Sequence, residues 1–149
     1  MPHDDELYKI VGNIGADERP LMVLHVREGE NIVVSNDNRR FAIFIKRFCG
    51  ANTHSFELKD SPNLFIGFGA DEGTEIIKLK LVPDVMCWEV SLLIDLTASE
   101  IHADVDDIKN CWEILSDDTE STINLSTNLS APRPAKQKWK FVRVKTVDE

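Results

Sequence analysis

The last apolar stretch of the chain, residues 137–144, alternates apolar and charged positions. Trp139 and Phe141 fall on one side of this alternation, whereas Lys138, Lys140 and Arg143 fall on the other. Successive side chains of a β-strand point to opposite faces of a sheet, so a period of two predicts a strand with one buried face.

Two stretches further upstream, residues 87–92 and 40–45, resemble this one. All three stretches carry aromatic and aliphatic residues, and they lie roughly 50 residues apart. This spacing indicates three copies of one structural unit. Phe41, Trp88 and Trp139 are then equivalent core aromatics, and we expect them to pack against one another instead of stacking on a ligand.

Four short strands are predicted in each copy, in the order strand, loop, strand, tight turn, strand, loop, strand. In the first copy, Gly29 supplies the positive φ angle that the tight turn needs. We find no convincing helical period, so the predicted class is all-β. The predicted strands cover residues 7–11, 21–26, 31–34, 41–45, 55–58, 64–68, 75–79, 87–92, 100–105, 111–115, 122–125 and 137–144.

A sheet of twelve strands must protect its edges, and closing it into a barrel does so. Three repeats of four strands are the plan of the β-trefoil, in which six strands form a barrel and three hairpins cap one end. We therefore predict a single β-trefoil domain over residues 1–149. Its repeats would cover approximately residues 6–50, 51–97 and 98–145.

Composition and charge limit the function. A formal net charge of −9 disfavours binding to nucleic acid or to an anionic membrane surface. No apolar run approaches the roughly 20 residues that span a bilayer, so we expect no membrane insertion. The acidic N-terminus does not resemble a secretory signal, which predicts a cytoplasmic protein, with non-classical secretion as the alternative. Cys49, Cys87 and Cys111 are widely spaced and are expected to be reduced and mostly buried.

The sequence contains no pattern typical of an enzyme or of a cofactor site. Its four histidines are dispersed, and there is no nucleophile elbow and no phosphate-binding glycine loop. An acidic cluster lacks the alternation and the closing Glu of an EF-hand, so a solvated loop is favoured over calcium binding. That cluster consists of Asp104, Asp106, Asp107, Asp117 and Asp118. We predict no enzyme activity, no cofactor and no metal.

Two short motifs carry a resemblance to known families. The sequence Gln137-Lys138-Trp139 matches the Gln-x-Trp motif of ricin-B-type β-trefoil lectins. The sequence Leu7-Tyr8-Lys9-Ile10 resembles the opening Tyr-x-Ile of small mushroom β-trefoils, which include ricin-B-like lectins and protease inhibitors of the mycocypin type. The resemblance implies a fungal β-trefoil that functions by binding.

The first functional hypothesis is a protease inhibitor that acts through surface loops. Residues 12–20 are predicted to form an irregular loop, whose glycines would let the backbone enter the cleft of a papain-like protease. Residues 35–39 could supply a second wedge, and Arg27 at a hairpin tip could enter a trypsin-like pocket. The candidate residues of these loops are Gly12, Asn13, Gly15, Arg27, Asn36 and Asn38.

The alternative hypothesis is a lectin of the ricin-B type, whose partner would be a glycan. The third repeat supplies the candidates Glu113, Asn124 and Gln137, with Trp112 either as a stacking platform or, as favoured, as a packing residue. In the other repeats the carboxylate position of the lectin family falls near Leu24 and Ile66, so the set is incomplete there. A third hypothesis is an intracellular protein-interaction module, because the fold alone does not separate these functions.

Overall fold

A computed structural model describes residues 6–14, 17–35, 37, 39–92, 98–116, 120–127 and 134–144. Twelve β-strands lie in these ranges, and one 3₁₀ turn, Ala135–Gln137, precedes the last of them. The strands are β1 (Glu6–Ile14), β2 (Asp17–Val23), β3 (Ile32–Ser35), β4 (Phe44–Gly50), β5 (Thr53–Leu58), β6 (Phe65–Ala70), β7 (Ile77–Val82), β8 (Trp88–Leu92), β9 (Ser99–Val105), β10 (Ile108–Ile114), β11 (Glu120–Ser126) and β12 (Trp139–Arg143).

Six of these strands close into a barrel. Strand β1 pairs with β4, β4 with β5, β5 with β8, β8 with β9, β9 with β12, and β12 with β1 again, and every pairing is antiparallel. Because the circle closes, each of these strands has a partner on both sides, which removes exposed edges from this layer.

The other six strands form three hairpins, β2–β3, β6–β7 and β10–β11. Short pairings join the hairpins to one another: β11 pairs with β3, Asn124 of β11 opposes Lys78 of β7, and Asn31 opposes Lys80 of β7. The hairpins therefore form one connected cap. A six-stranded barrel with a three-hairpin cap confirms the predicted all-β, β-trefoil fold.

The aromatic core repeats along the chain, but its first member differs from the prediction. Trp88 and Trp139 are fully buried at the start of β8 and β12, whereas the fully buried residue at the start of β4 is Phe44. Phe41 is only half-buried, and Lys9 Nζ lies 4.8 Å from the centre of its ring. The prediction of Phe41 as a core residue is wrong because the strand begins three residues later.

Each repeat uses a similar hydrogen bond to fix this core. The indole Nε1–H of Trp88 donates to the carbonyl oxygen of Ile66 at 2.9 Å, and that of Trp139 donates to Trp112 at 3.0 Å. In the first repeat, where the aromatic is Phe44, the backbone N–H of Ala42 donates instead to the carbonyl oxygen of Leu21 at 2.8 Å. Buried carbonyl groups must be hydrogen bonded, so this contact stabilises the base of each hairpin.

The cysteines differ from the prediction. Cys49 at the end of β4 and Cys87 just before β8 form a disulfide with a Cα–Cα distance of 6.2 Å, whereas Cys111 is buried and lies outside it. The two cysteines are 38 residues apart, and they meet because β4 and β8 flank the same strand, β5. Disulfides persist mainly in oxidising compartments. The expectation of reduced cysteines is therefore wrong, and a cytoplasmic location stays a prediction.

Candidate functional site

The three residues predicted as a sugar-binding set lie together in the third repeat. Glu113 on β10 and Asn124 on β11 are directly opposed across the hairpin. Gln137, in the 3₁₀ turn that precedes β12, donates from Nε2 to Glu113 Oε2 at 3.1 Å. Three segments far apart in sequence therefore place one carboxylate and two amides in one cluster, which we call the third-repeat cluster.

Residues of this cluster differ in exposure, and therefore in what they can contact. Gln137 is fully buried, whereas Glu113 and Asn124 are half-buried on the face of the hairpin opposite the core residues Trp112 and Ile114. Only Glu113 and Asn124 can touch a ligand, and Gln137 fixes the Glu113 carboxylate in place.

Two further features of the cluster bear on binding. The Asn124 Oδ1 atom is buried and has no hydrogen-bond partner among the described residues. Leu115 follows the strand on the same side as Glu113 and is 49% exposed, which offers an apolar contact beside the polar groups. A carboxylate, an amide and a neighbouring apolar side chain are the groups that bind a polyhydroxylated ring.

Strand register shows that the other two repeats lack this pair. The positions equivalent to Glu113 and Asn124 are occupied by Met22 and Val33 in the first repeat and by Gly67 and Lys80 in the second. These positions replace the sequence-based assignment near Leu24 and Ile66. The conclusion that the first two repeats lack the carboxylate still holds, because none of these residues carries one.

Trp112 is a core residue and not a stacking platform. Its side chain is fully buried, and its ring makes edge-on contacts with Trp88 at 5.3 Å and with Trp139 at 5.6 Å between ring centres. The favoured packing assignment is therefore confirmed. A sugar at the third-repeat cluster would have to use Leu115 or the backbone for its apolar contacts.

The predicted inhibitory loop between residues 12 and 20 is largely a hairpin. Gly12 and Asn13 belong to β1 and oppose Arg19 and Glu18 of β2, so the prediction of an irregular loop is wrong for these residues. Gly12 is buried: a Cβ atom there would lie 2.7 Å from Trp139 Cζ3. The lack of a side chain at Gly12 serves core packing, because the indole ring occupies the space.

The remaining inhibitor candidates have different outcomes. Arg27 lies in the predicted turn and its side chain is 71% exposed, but Nε contacts Glu30 Oε1 at 3.0 Å. Gly29 has the predicted positive φ of 86°. Gly15, Asn36 and Asn38 lie outside the described residues.

A charged network lies next to the cluster on the cap. Asp71, just after β6, accepts from Lys78 Nζ at 2.9 Å and from Lys80 Nζ at 2.5 Å. These hydrogen bonds, with that from Lys80 contributing most, lower the pKa of Asp71 from 3.8 to about 2. Lys78 opposes Asn124 across the strand pair, so Asp71 orders the lysine beside the third-repeat cluster.

This network predicts an acid-sensitive contribution to stability. The pKa of Asp71 is lower in the folded protein than in the unfolded chain, so its contribution is full above about pH 4 and is lost as the pH falls towards 2. Between these pH values, the melting temperature of the wild type should fall more steeply than that of Asp71→Asn. Parallel curves from thermal unfolding followed by circular dichroism would contradict this assignment.

A second polar group, missed in the sequence, lies on the barrel. His102 of β9 is 5% exposed, and its Nε2 lies 3.1 Å from Glu89 Oε2, 3.6 Å from Glu100 Oε1 and 3.4 Å from Ser91 Oγ. Burial lowers the pKa of His102, and nearby Lys109 lowers it further. A Ser-His-acid triad uses both ring nitrogens of the histidine, whereas these three contacts converge on one of them.

The described residues hold no set of three or more His, Cys, Asp or Glu side chains arranged to bind a metal ion. Within the predicted acidic cluster, Asp106 and Asp107 form the β9–β10 turn with φ values of 53° and 65°, as two-residue hairpins require. Asp117 and Asp118 lie outside the described residues. Over the same part of the chain, no helix is long and apolar enough to cross a membrane.

Comparison with known proteins supports the fold. No protein-family model matches the sequence, and no curated protein matches it either. Among solved structures, a mosquitocidal holotoxin is similar at a TM-score of 0.73 and 8% identity, over 97% of this chain and 18% of the toxin chain. A lectin of Polyporus squamosus, solved with the glycan epitope Neu5Acα2-6Galβ1-4GlcNAc, has a TM-score of 0.65 and 14% identity, over 96% of this chain and 50% of the lectin chain.

A designed three-fold symmetric protein, ThreeFoil, is similar at a TM-score of 0.64 and 11% identity, over 93% of this chain and 99% of the designed chain. At these identities the comparisons establish a shared β-trefoil fold. This chain spans less than a fifth of the holotoxin and half of the lectin.

Proposed function

We propose that this protein binds carbohydrate without catalysing a reaction, and that Glu113 and Asn124 contact the sugar hydroxyl groups. The observation that carries the proposal is the strand register that opposes these two side chains, together with the hydrogen bond from Gln137 to Glu113. The resemblance to ricin-B-like lectins, based on Gln137 and Trp139, pointed to the same repeat.

Chemically, the cluster suits a neutral polyol. An ionised carboxylate accepts strong hydrogen bonds from hydroxyl groups, and an amide both donates and accepts them. Gln137 acts as a positioning residue, because its buried amide holds the Glu113 carboxylate before a ligand arrives and so reduces the entropy lost on binding. The glycan-bound lectin among the structural neighbours supports a sugar ligand for this fold.

We place sugar binding ahead of protease inhibition for a structural reason. The wedge hypothesis depended on Gly12 and Asn13 being in an irregular loop, and both lie in the β1–β2 hairpin. Fungal origin and resemblance to mycocypins remain predictions from the sequence.

A glycan array followed by titration of the best-bound glycan tests the proposal. Glu113→Gln should weaken binding roughly tenfold or more, because a hydrogen bond to a charged group contributes about 1.5–3 kcal/mol. The matched control is Glu18→Gln, which removes the same charge at an exposed ion pair with Lys140 on β12. The control should bind like the wild type.

Two results would overturn this proposal. One is equal affinity of Glu113→Gln and Glu18→Gln for the glycan. The other is an array without binding while papain or trypsin loses activity in the presence of the protein, which would return the inhibitor hypothesis to first place.

A further inference from the structure

A cavity of about 280 Å³ lies on the outer side of the barrel, away from the third-repeat cluster. Strands β5, β8 and β9 and the segment before β8 form its walls. Its lining includes Thr53, Met86, Glu89, His102, Ala103 and Asp104, together with the disulfide-bonded Cys87. This volume is close to the lower end of small-molecule sites, which fits a ligand the size of one ring or one side chain.

The charge of this cavity is negative. The carboxylates of Glu89 and Asp104 line it, and the hydrogen-bond partner of Glu89 is His102, whose pKa is lowered by burial so that the ring is neutral at pH 7. Among the described residues, Lys109 is the cation beside this group, and its Nζ binds Glu100 at 2.8 Å. Glu89 and Asp104 therefore have no cationic partner among the described side chains, which favours a cation in the cavity.

The opposite wall of the cavity is apolar. Met86, Ala103 and the sulfur of Cys87 lie there, and the disulfide to Cys49 ties this wall to β4. A group that is charged at one end and apolar along its body would satisfy both walls, whereas a metal ion would need more ligands than the described residues supply.

We propose that this cavity binds a primary ammonium group attached to a body the size of one sugar ring or one amino-acid side chain. The ammonium lies between the carboxylates of Glu89 and Asp104, the Thr53 hydroxyl accepts or donates a hydrogen bond, and the ligand body packs on Met86 and Ala103. This site is independent of the proposed glycan site, since it shares no residue with it.

Titration followed by amide chemical shifts in NMR spectra tests the proposal with three probes at neutral pH. Glucosamine and Nα-acetyl-lysine amide both carry the ammonium, and they separate a sugar source from a side-chain source. N-acetylglucosamine keeps the ring and removes the charge. We expect at least one amine to shift the backbone amides of Glu89, Ala103 and Asp104, with N-acetylglucosamine leaving them unchanged. Equal shifts with N-acetylglucosamine, or no shifts with either amine, would overturn the proposal.

Variants then assign the binding to the two carboxylates. Glu89→Gln and Asp104→Asn should each weaken the amine roughly tenfold, the effect of losing about 1.4 kcal/mol. Asp104 is exposed, so its variant keeps the test valid if loss of the Glu89–His102 contact disturbs folding. Glu113→Gln removes one charge at the glycan site and should leave amine binding unchanged. Amine affinity that is unchanged in Asp104→Asn, or that drops equally in Glu113→Gln, would contradict the assignment.

Discussion

Trp139→Ala is expected to lower the free energy of unfolding by about 3–5 kcal/mol, the usual cost of removing a fully buried large aromatic side chain. The Trp139 ring is fully buried, contacts Trp112 at 5.6 Å between ring centres, and donates a hydrogen bond to the Trp112 carbonyl. Removing it would leave a cavity where β12 closes the barrel and a carbonyl oxygen without its donor. Urea denaturation followed by circular dichroism measures the loss.

Trp139→Phe separates packing from hydrogen bonding. It keeps an aromatic ring, as Phe44 does in the first repeat, and it removes the indole N–H. We expect a smaller loss of about 1–3 kcal/mol, the cost of a buried carbonyl left without a partner together with a modest volume change. If Trp139→Ala costs no more than Trp139→Phe, the indole is not the packing element that the structure describes.

Gly12→Ala is expected to destabilise the protein by about 1–3 kcal/mol through overpacking. The added Cβ would lie 2.7 Å from Trp139 Cζ3 and 2.9 Å from Ile114 Cδ1, and contacts under 3.0 Å force a shift of ring or backbone. An alanine at an exposed inhibitory loop would leave stability nearly unchanged, so this substitution also separates the two roles of Gly12. Denaturant midpoints compare the variants.

Gly69→Ala is the matched control for Gly12→Ala. Gly69 also lies in a strand, but its added Cβ would first meet the flexible Lys80 side chain at 3.3 Å. A second test combines Gly12→Ala with Trp139→Phe, because a smaller ring should relieve the clash and make the two losses less than additive. Equal losses at Gly12 and Gly69, or strict additivity, would contradict the packing role of Gly12.

Sequence patterning predicted the strands well because each strand has one face in a single core. Trp88 and Trp139 are recognisable from their alternation, but Phe44 was missed, since Phe41 begins the same apolar stretch three residues earlier. The β1–β2 hairpin was also missed. Glycine and proline at its ends are typical of a loop, whereas here Gly12 provides room for an indole ring.

The third-repeat cluster was predictable in part. Gln137 and Trp139 carried a recognisable motif, but only strand register shows that Glu113 opposes Asn124 and that the equivalent positions elsewhere are apolar, glycine or lysine. The amine cavity could not have been predicted, because Glu89 and His102 carry no motif and become neighbours through the β8–β9 register. The Cys49–Cys87 disulfide was hidden for the same reason, since tertiary structure joins two isolated cysteines.

The most direct test of the central claim is to map the bound glycan by amide chemical shifts, using the best ligand from the array. We predict that the shifts concentrate at Glu113, Leu115 and Asn124 and in residues 135–138, with Gln137→Ala reducing their size at a given glycan concentration. Shifts that fall instead on the β2–β3 turn around Arg27, or that leave the third-repeat cluster unchanged, would contradict the proposed glycan site.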